Sequence, residues 1–326
     1  MSSKSIPQNT IAVGDCLETM AAWSAESLDL IFADPPYNIG YEYDRYEDNR
    51  SDEEYVRWTQ DWIAGCTRLL KPTGSFYILI GDEYAAETRL YLKQLEREGK
   101  LAFRNWIVWH YTFGQNCRSK FNRSHAHLFY AVGPAALKKG WKQSDPPFTF
   151  NRQAIAVPSA RQTTYADARA NPAGKLPDDT WYLRPQETDG ALFRADEDTW
   201  YFSRLCGTFK ERVGWHPCQL PEALLERIVQ LSSNPGDLVF DPFVGSGTTL
   251  AVAARLGRKW LGTEMSEQYA EKATERIEHV VATGDTLKVS QAQKGIERGK
   301  PKKKPEPKRS VPQAGAGAES GLFGGS

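Results

Sequence analysis

The 326-residue sequence predicts an α/β fold in which strands buried on both faces alternate with amphipathic helices. Three observations carry this reading. Strand and helix signals alternate through the first 135 residues and again after residue 215. The strand candidates are apolar without a polar face, as strands covered by helices on both sides are. The helix candidates place their apolar residues at helical spacing.

The elements follow in chain order. "TIAVGD" (10–15) reads as a strand closed by a Gly-Asp turn. "SLDLIFADPP" (27–36) is a doubly apolar strand that two prolines stop, because proline has no N–H for a ladder. It leaves Asp34 at the end of an apolar run, where a carboxylate is costly unless something uses it. Residues 52–70 form a helix with Tyr55, Trp58, Trp62, Ile63, Cys66, Leu69 and Leu70 on one stripe. "KPTG" breaks it, and "SFYILIG" (75–81) is the next buried strand. A helix near 82–98 and strands near 103–111 and 126–132 complete this half.

Residues 137–215 differ. Pro, Gly, Thr, Arg and Trp dominate, no period holds, and "DTWY" occurs at 179–182 and again at 198–201. The region reads as an inserted module and not as a continuation of the sheet. Regularity then returns. "QLPEALLERIVQLSS" (219–233) is an amphipathic helix with proline near its start. "GDLVFDPF" (236–243) is a strand, and "GSGTTLAVAARLG" (245–257) is a glycine turn running into a helix that ends at Gly257. "RKWLGTE" (258–264) is a strand, followed by a helix over 266–281 capped by Ser266. Beyond about 285 the chain is Lys/Pro-rich and then Gly/Ala-rich, and disorder is expected.

Hydrophobic content of 40% and charged content of 25% are ordinary for a soluble globular chain. The net charge of zero hides an asymmetry: residues 294–326 hold eight basic and three acidic side chains, so the remainder is net acidic. Such a tail suits a polyanionic partner or serves solubility, and charge alone weighs the two equally. Cysteines 16, 66, 117, 206 and 218 form no CxxC pair and no zinc-ligand spacing, so no metal is expected and a reducing compartment fits. No apolar run approaches 18 residues and "MSSKSIPQNT" has no apolar h-region. The expectation is a cytoplasmic protein that does not span a membrane.

Two constellations carry chemistry. The first is "DPFVGSGTT" (241–249), a strand-to-helix turn where backbone N–H groups can meet an anion. It is not a P-loop, because no lysine follows the second glycine, and Leu250 occupies the third position of GxGxxG. Glu264 ends the next strand, 17 residues beyond Gly247, where a carboxylate can take ribose hydroxyls. Together these describe a nucleoside site without a pyrophosphate, which S-adenosylmethionine fits: adenosine at Glu264, amino-acid carboxylate at the glycine turn. Asp15 reads either as an acceptor for an adenine N–H or as a helix cap. The second constellation is Asp34-Pro35-Pro36-Tyr37. The Asp34 carboxylate and the Pro35 carbonyl are two acceptors that match the two donors of an exocyclic amine. Holding both N–H groups out of the ring plane of adenine or cytosine would localise the nitrogen lone pair and make it nucleophilic. Tyr37 would stack on the base.

"DPPY" at 34–37, "DPFVGSGTT" at 241–249 and "GWHPCQLPE" at 214–222 resemble the signature motifs of DNA amino-methyltransferases, in the order of that family's beta group. The resemblance runs over roughly residues 8–282. It implies a permuted Rossmann-like sheet, S-adenosylmethionine as donor and double-stranded DNA as substrate. It implies Asp34, Pro35, Pro36 and Tyr37 as catalytic residues. The cofactor set it implies is Asp15, Cys16, Asp34, Asp241, Pro242, Phe243, Gly245, Ser246, Gly247, Thr248, Thr249, Glu264 and Met265. It divides the chain into a catalytic half (8–136), a target-recognition segment (137–215), a cofactor half (216–284) and a basic tail (285–326). Cys218 and Leu220 stand where family members often have Thr and Lys, so any cofactor contact by that lysine is absent. His216 orders the turn before the helix. The loop 113–127 carries Arg118, Lys120, Arg123, His125 and His127 without an acid. Arg118, Lys120 and Arg123 are its expected phosphate contacts. The target base must leave the duplex, and Tyr41, Phe113 and Phe121 would hold it.

Aspartate at the head of the motif leans toward adenine, and serine there would lean toward cytosine. The expected function is therefore site-specific N6-adenine methylation. N4-cytosine methylation and a catalytically silent DNA-binding regulator are the alternatives. A cognate restriction endonuclease fits as a partner, and either a monomer or a homodimer is compatible. The tail from Lys294 should strengthen DNA binding without setting sequence choice.

Overall fold

The computed structural model describes residues 5–40, 45–46, 48–110, 118–119, 121–163, 165–181, 212–216 and 218–284, all within a unit spanning Met1–Val289. In chain order the elements are β1 (Thr10–Val13), α1 (Cys16–Ala21), β2 (Leu28–Ala33), α2 (Asp52–Leu69), β3 (Leu70–Ile80), α3 (Ala85–Arg97), β4 (Ala102–His110) and β5 (His125–Val132). Then come α4 (Ala160–Thr163), β6 (Thr180–Trp181), α5 (Glu222–Ser232), β7 (Leu238–Asp241), α6 (Thr248–Arg255), β8 (Lys259–Glu264) and α7 (Glu267–Thr283).

One eight-stranded sheet runs β1-β8-β7-β2-β3-β5-β4-β6. The first five strands in this order are mutually parallel. β5 lies antiparallel between β3 and β4, and β6 is parallel to β4. Alternate side chains of each central strand serve opposite helical layers. Leu30 and Phe32 of β2 and Val239 of β7 pack with Leu224, Ile228 and Leu250 of α5 and α6, and with Ile277 of α7. Ile31 and Ala33 of β2 and Phe240 of β7 pack with Met20 of α1, Trp62 and Ile63 of α2 and Leu92 of α3. This is why these strands read as apolar without alternation. Burying each such side chain stabilises the fold by roughly 1.5–3 kcal/mol.

The connections place the site. From β7 the chain passes through α6 to β8 on one side, and from β2 it passes through α2 to β3 on the other, with the two helices on opposite faces. Strands β7 and β2 are neighbours, so the connections diverge from the gap between them. Ligands of open α/β sheets collect outside the carboxyl ends of strands at such a point. Chain order is permuted, but the glycine turn after β7 and the DPPY turn after β2 become adjacent.

The middle region corrects one expectation. Thr180 and Trp181, from the first DTWY copy, form β6 and extend the sheet edge against Val108 and Trp109. Phe148 and Ile155 enter the core beside α5. Asn151 Nδ2 donates to the carbonyls of Gln230 (3.0 Å) and Ser233 (2.9 Å), tying the segment to the end of α5. Part of the insert is thus a continuation of the sheet, covering an edge that would otherwise leave its ladder groups unpaired. The second DTWY copy and the tail lie outside the described residues. The helix expected over 82–98 begins as a 3₁₀ turn, Asp82–Tyr84, before α3.

Candidate active site

A cavity of about 400 Å³ opens at the carboxyl ends of β1, β8, β7 and β2. It is lined by Asp15, Cys16, Asp34, Pro35, Pro36, Tyr37, Asp241, Pro242, Phe243, Gly245, Ser246, Thr248, Thr249, Glu264 and Met265. Of the expected catalytic and cofactor residues, Gly247 does not line the cavity. Residues about 200 positions apart in sequence share one wall because β2 and β7 pair.

The DPPY turn is held from several directions. Tyr55 of α2 donates its hydroxyl to the Pro36 carbonyl at 2.6 Å. Tyr37 donates its hydroxyl to Asp34 Oδ1 at 2.9 Å. The Tyr37 ring lies against Gly81 at the end of β3, where a Cβ would sit 3.3 Å from the ring. Asn38 follows with φ 56°, a left-handed conformation that asparagine tolerates. The N–H groups of Asn38 and Ile39 donate to the two carboxylate oxygens of buried Asp48 at 2.7 and 3.0 Å. Sequence reading missed Asp48, Tyr55 and Gly81. The faint signal was Asn after DPPY, a residue suited to a sharp reversal.

The glycine turn is equally constrained, and it corrects two expectations. Gly245 adopts φ 48°, and a Cβ there would lie 2.9 Å from the His216 ring. Gly247 adopts φ 75° as the N-cap of α6, with a Cβ position 2.9 Å from Ala273 Cβ of α7. Gly247 therefore serves helix packing behind the cavity, and does not line it. The turn's N–H groups are also largely taken by acceptors of the protein itself. Gly245 N–H donates to Glu264 Oε2 (2.9 Å), Gly247 N–H to the Val244 carbonyl (2.8 Å) and Phe243 N–H to Asp241 Oδ1 (2.9 Å). What remains for an anion is the first turn of α6, whose N–H groups lack intrahelical partners and whose Thr248 and Thr249 face the cavity. Buried Arg276 of α7 supports the turn from below. It donates to the Ser246 carbonyl (2.8 Å) and Thr248 Oγ1 (3.0 Å), and pairs with buried Glu222 of α5 at 2.7 Å.

Glu264 also accepts from Ser266 N–H through Oε1 at 3.0 Å. Two backbone donors thus fix the carboxylate, which keeps lone pairs for further hydroxyl donors. Asp15 caps α1, with Oδ1 accepting from Leu17 N–H at 2.7 Å, so the cap reading holds while the residue also lines the cavity. Burial pushes the Cys16 thiol up to about 12, so it stays protonated. Burial holds His216 down at about 4, so its imidazole is neutral at physiological pH.

Asp241 is buried, which pushes its carboxyl up to about 7 against the Thr249 hydroxyl and the Phe243 N–H, which favour the charged form. Near pH 5 the folded protein therefore keeps a proton here that the unfolded chain has lost. The stability this contributes is full below about pH 4 and is lost as pH rises through 7. Asp241→Asn should flatten the pH dependence of the denaturation midpoint between pH 4 and 7. An identical pH profile in the variant would place the titration elsewhere.

The residues expected to contact DNA separate. Arg123 lines the cavity, with Nε 2.6 Å from Asp82 and Nη2 3.1 Å from Glu83. Arg118 is exposed and does not line the cavity. Phe121 is fully exposed and away from it. Lys120, Tyr41 and Phe113 lie outside the described residues. His125 does reach the cavity wall. Among the described residues no cluster of His, Cys, Asp or Glu is placed to hold a metal, and no helix is long and apolar enough to cross a membrane.

Fold and site together define a Rossmann-like α/β class in which the glycine turn, Glu264 and the DPPY turn share one cavity at the switch point. The chain belongs to the DNA methylase family, whose N6/N4 methyltransferase profile matches residues 28–275. It is 34% identical over 272 residues to the DNA adenine methyltransferase YhdJ of Escherichia coli K12, covering 82% of each chain. It is 33% identical over 253 residues to the Type II methyltransferase M.HpaI of Haemophilus parainfluenzae, covering 77% of this chain and 68% of that one. Among solved structures, the PvuII DNA methyltransferase (cytosine-N4-specific) superposes with a TM-score of 0.54 at 18% identity, over 84% of this chain and 93% of that one. The M1.HpyAVI–SAM complex superposes with a TM-score of 0.51 at 21% identity, over 82% and 98%. These two likenesses are of fold.

Proposed function

We propose that this protein transfers a methyl group from S-adenosylmethionine to N6 of an adenine flipped out of duplex DNA at a specific sequence. The observation that carries this is the sharing of one cavity by Asp34 and Pro35 with Asp241, Thr248 and Glu264. The cavity fits the donor. Its volume is in the range of small-ligand pockets. Gly245 leaves room that a Cβ would take, and Asp241 and Glu264 supply acidic acceptors for hydroxyl and ammonium groups. Glu264 would take ribose hydroxyls, and the first turn of α6 would take the amino-acid carboxylate. When bound, S-adenosylmethionine supplies a methyl group on a positively charged sulfur, activated toward a neutral nucleophile.

The chain's own residues then prepare the amine. Asp34 and the Pro35 carbonyl accept its two N–H groups and hold them out of the ring plane. Tyr55 fixes the Pro36 carbonyl, so the turn cannot swing away as the base enters. The Tyr37 ring, backed by Gly81, offers a stacking face, and its hydroxyl orients Asp34. A strong base is unnecessary, because the attacking nitrogen is neutral and sheds its proton after the N–CH₃ bond forms. Residues 137–215 would read the target sequence, between a catalytic half (8–136) and a cofactor half (216–284). A DNA substrate supports a cytoplasmic location. The Type II names of M.HpaI and M.BamHI support a restriction endonuclease as companion activity.

Adenine is favoured over cytosine by aspartate at position 34 and by the likeness to YhdJ. The test is methylation of genomic DNA by the purified protein, followed by nucleoside analysis and mapping of the modified positions. N6-methyladenine at one recurring sequence is expected. N4-methylcytosine as the only product would refute the adenine assignment, and no methylated base would leave a DNA-binding regulator.

A further inference from the structure

Three of the chain's five histidines, His110, His125 and His127, stand on neighbouring positions of β4 and β5, outside the machinery described above. His125 lines the cavity. Its ring meets that of His127 edge-on at 4.9 Å. The His127 ring meets the Trp106 indole at 5.4 Å, and Trp106 Nε1 donates to His127 Nδ1 at 2.9 Å. A row of rings therefore leads from the cavity wall out to Trp106. The far end is unusual: Trp106 is 41% exposed. Its other side rests on Phe129, 5.0 Å between centroids, so the exposed ring is held rigidly on the sheet.

Burial, and then the neighbouring His125, hold His127 below the usual imidazole range. With Nδ1 accepting from Trp106, the proton of the neutral ring sits on Nε2. Arg123, which lines the same cavity as His125, is already paired with Asp82 and Glu83. This surface is thus poorly suited to phosphates and well suited to a planar apolar group. Trp106 does not line the cavity itself but is joined to the lining residue His125 through the His127 ring. When a nucleotide leaves the stack, its neighbour loses a stacking partner. Successive nucleotides of one strand are about 3.4 Å apart along the helix axis, so ring spacings of 4.9 and 5.4 Å put Trp106 within roughly three nucleotide steps of the cavity-lining His125.

We infer that Trp106 is the stacking partner for a base flanking the flipped target, with His125 and His127 lining the path between. The inference rests on the proposed base-flipping reaction and names a contact surface for its DNA. The row is continuous with the target cavity, and that continuity selects a DNA strand as the occupant over a second protein chain.

The experiment uses the full chain and a duplex oligonucleotide carrying the mapped methylation site, with 2-aminopurine in turn at each flanking position. Trp106→Leu should weaken duplex binding roughly 5- to 100-fold, the range for losing one base–aromatic stack. The slope of log affinity against log salt should not change, because no phosphate contact is lost. Trp106→Phe should keep most of the affinity, and Leu90→Ala, at an exposed site on α3, should change nothing. The 2-aminopurine emission at one flanking position should be quenched by wild type and Trp106→Phe but not by Trp106→Leu. Affinity within twofold of wild type and unchanged quenching in Trp106→Leu would overturn the inference. So would an equal loss of cofactor affinity or of thermal stability, which makes Trp106 structural. A Trp106→Leu variant that instead changes from dimer to monomer in sedimentation would assign the face to a second copy. If wild type itself methylates no DNA, the proposed function fails, which is a distinct result.

Discussion

Replacing Asp34 with alanine is expected to lower methyl transfer by roughly a hundredfold to a thousandfold, the usual cost of removing one preorganised hydrogen-bonding partner from a reacting centre. Cofactor affinity should stay near wild type. Asp34 belongs to the DPPY turn, where its Oδ1 accepts from the Tyr37 hydroxyl at 2.9 Å. The donor wall is built by other residues, chiefly Glu264 and the first turn of α6. Asp34→Asn keeps one acceptor oxygen in place but adds an amide donor beside the incoming amine, so its activity should lie between the two. Single-turnover kinetics with saturating DNA, together with calorimetry for the cofactor, separate the roles. Equal loss of cofactor affinity in Asp34→Ala would show that the two corners of the cavity are not independent.

The second large effect concerns stability. Arg276 and Glu222 pair at 2.7 Å with side chains 1% and 6% exposed. Removing Arg276 leaves buried Glu222 with the more distant Arg255, at 3.7 Å, and breaking a buried pair costs about 3–5 kcal/mol. Arg276→Ala should reduce the unfolding free energy in urea by that amount. It should also loosen the glycine turn, because the Ser246 carbonyl and the Thr248 hydroxyl lose their common donor. Glu222→Leu combined with Arg276→Met should recover much of the stability, since two apolar side chains need no counter-charge. The glycine turn should stay loose in that double variant, and cofactor affinity should stay low. A loss below about 1 kcal/mol in Arg276→Ala would mean that Arg255 or water compensates Glu222 in the variant.

The fold was largely legible because its local signals agree with one another. The strand 27–36 was apolar on both faces because α5 and α6 cover Leu30 and Phe32 while α2 covers Ile31 and Ala33. The stripe of Tyr55, Trp58, Trp62 and Ile63 read as one helix face and is one. Ser266 read as a cap, and its hydroxyl accepts from Tyr269 N–H at 3.3 Å. The insert was less legible. Its anchors, Asn151 at the end of α5 and Thr180 beside Val108, are single long-range contacts that leave no period.

What the sequence alone determined is the chemistry that short motifs can hold. A proline-stopped strand presents Asp34 and Pro35, a two-glycine turn enters a helix, and Glu264 ends the following strand. Each is a local arrangement, set by backbone restrictions within a few residues. Tertiary structure alone decided which of those groups meet. Pairing of β2 with β7 places Asp34 beside Asp241. Packing of α7 makes Gly247 a helix-contact glycine and not a cavity one. The position of Glu264 consumes the Gly245 N–H that the turn alone seemed to offer an anion. The physical reason is the same in each case. A hydrogen-bond donor or an empty Cβ position is a local property, but the group that takes it up arrives from another part of the chain, at a separation no local pattern encodes.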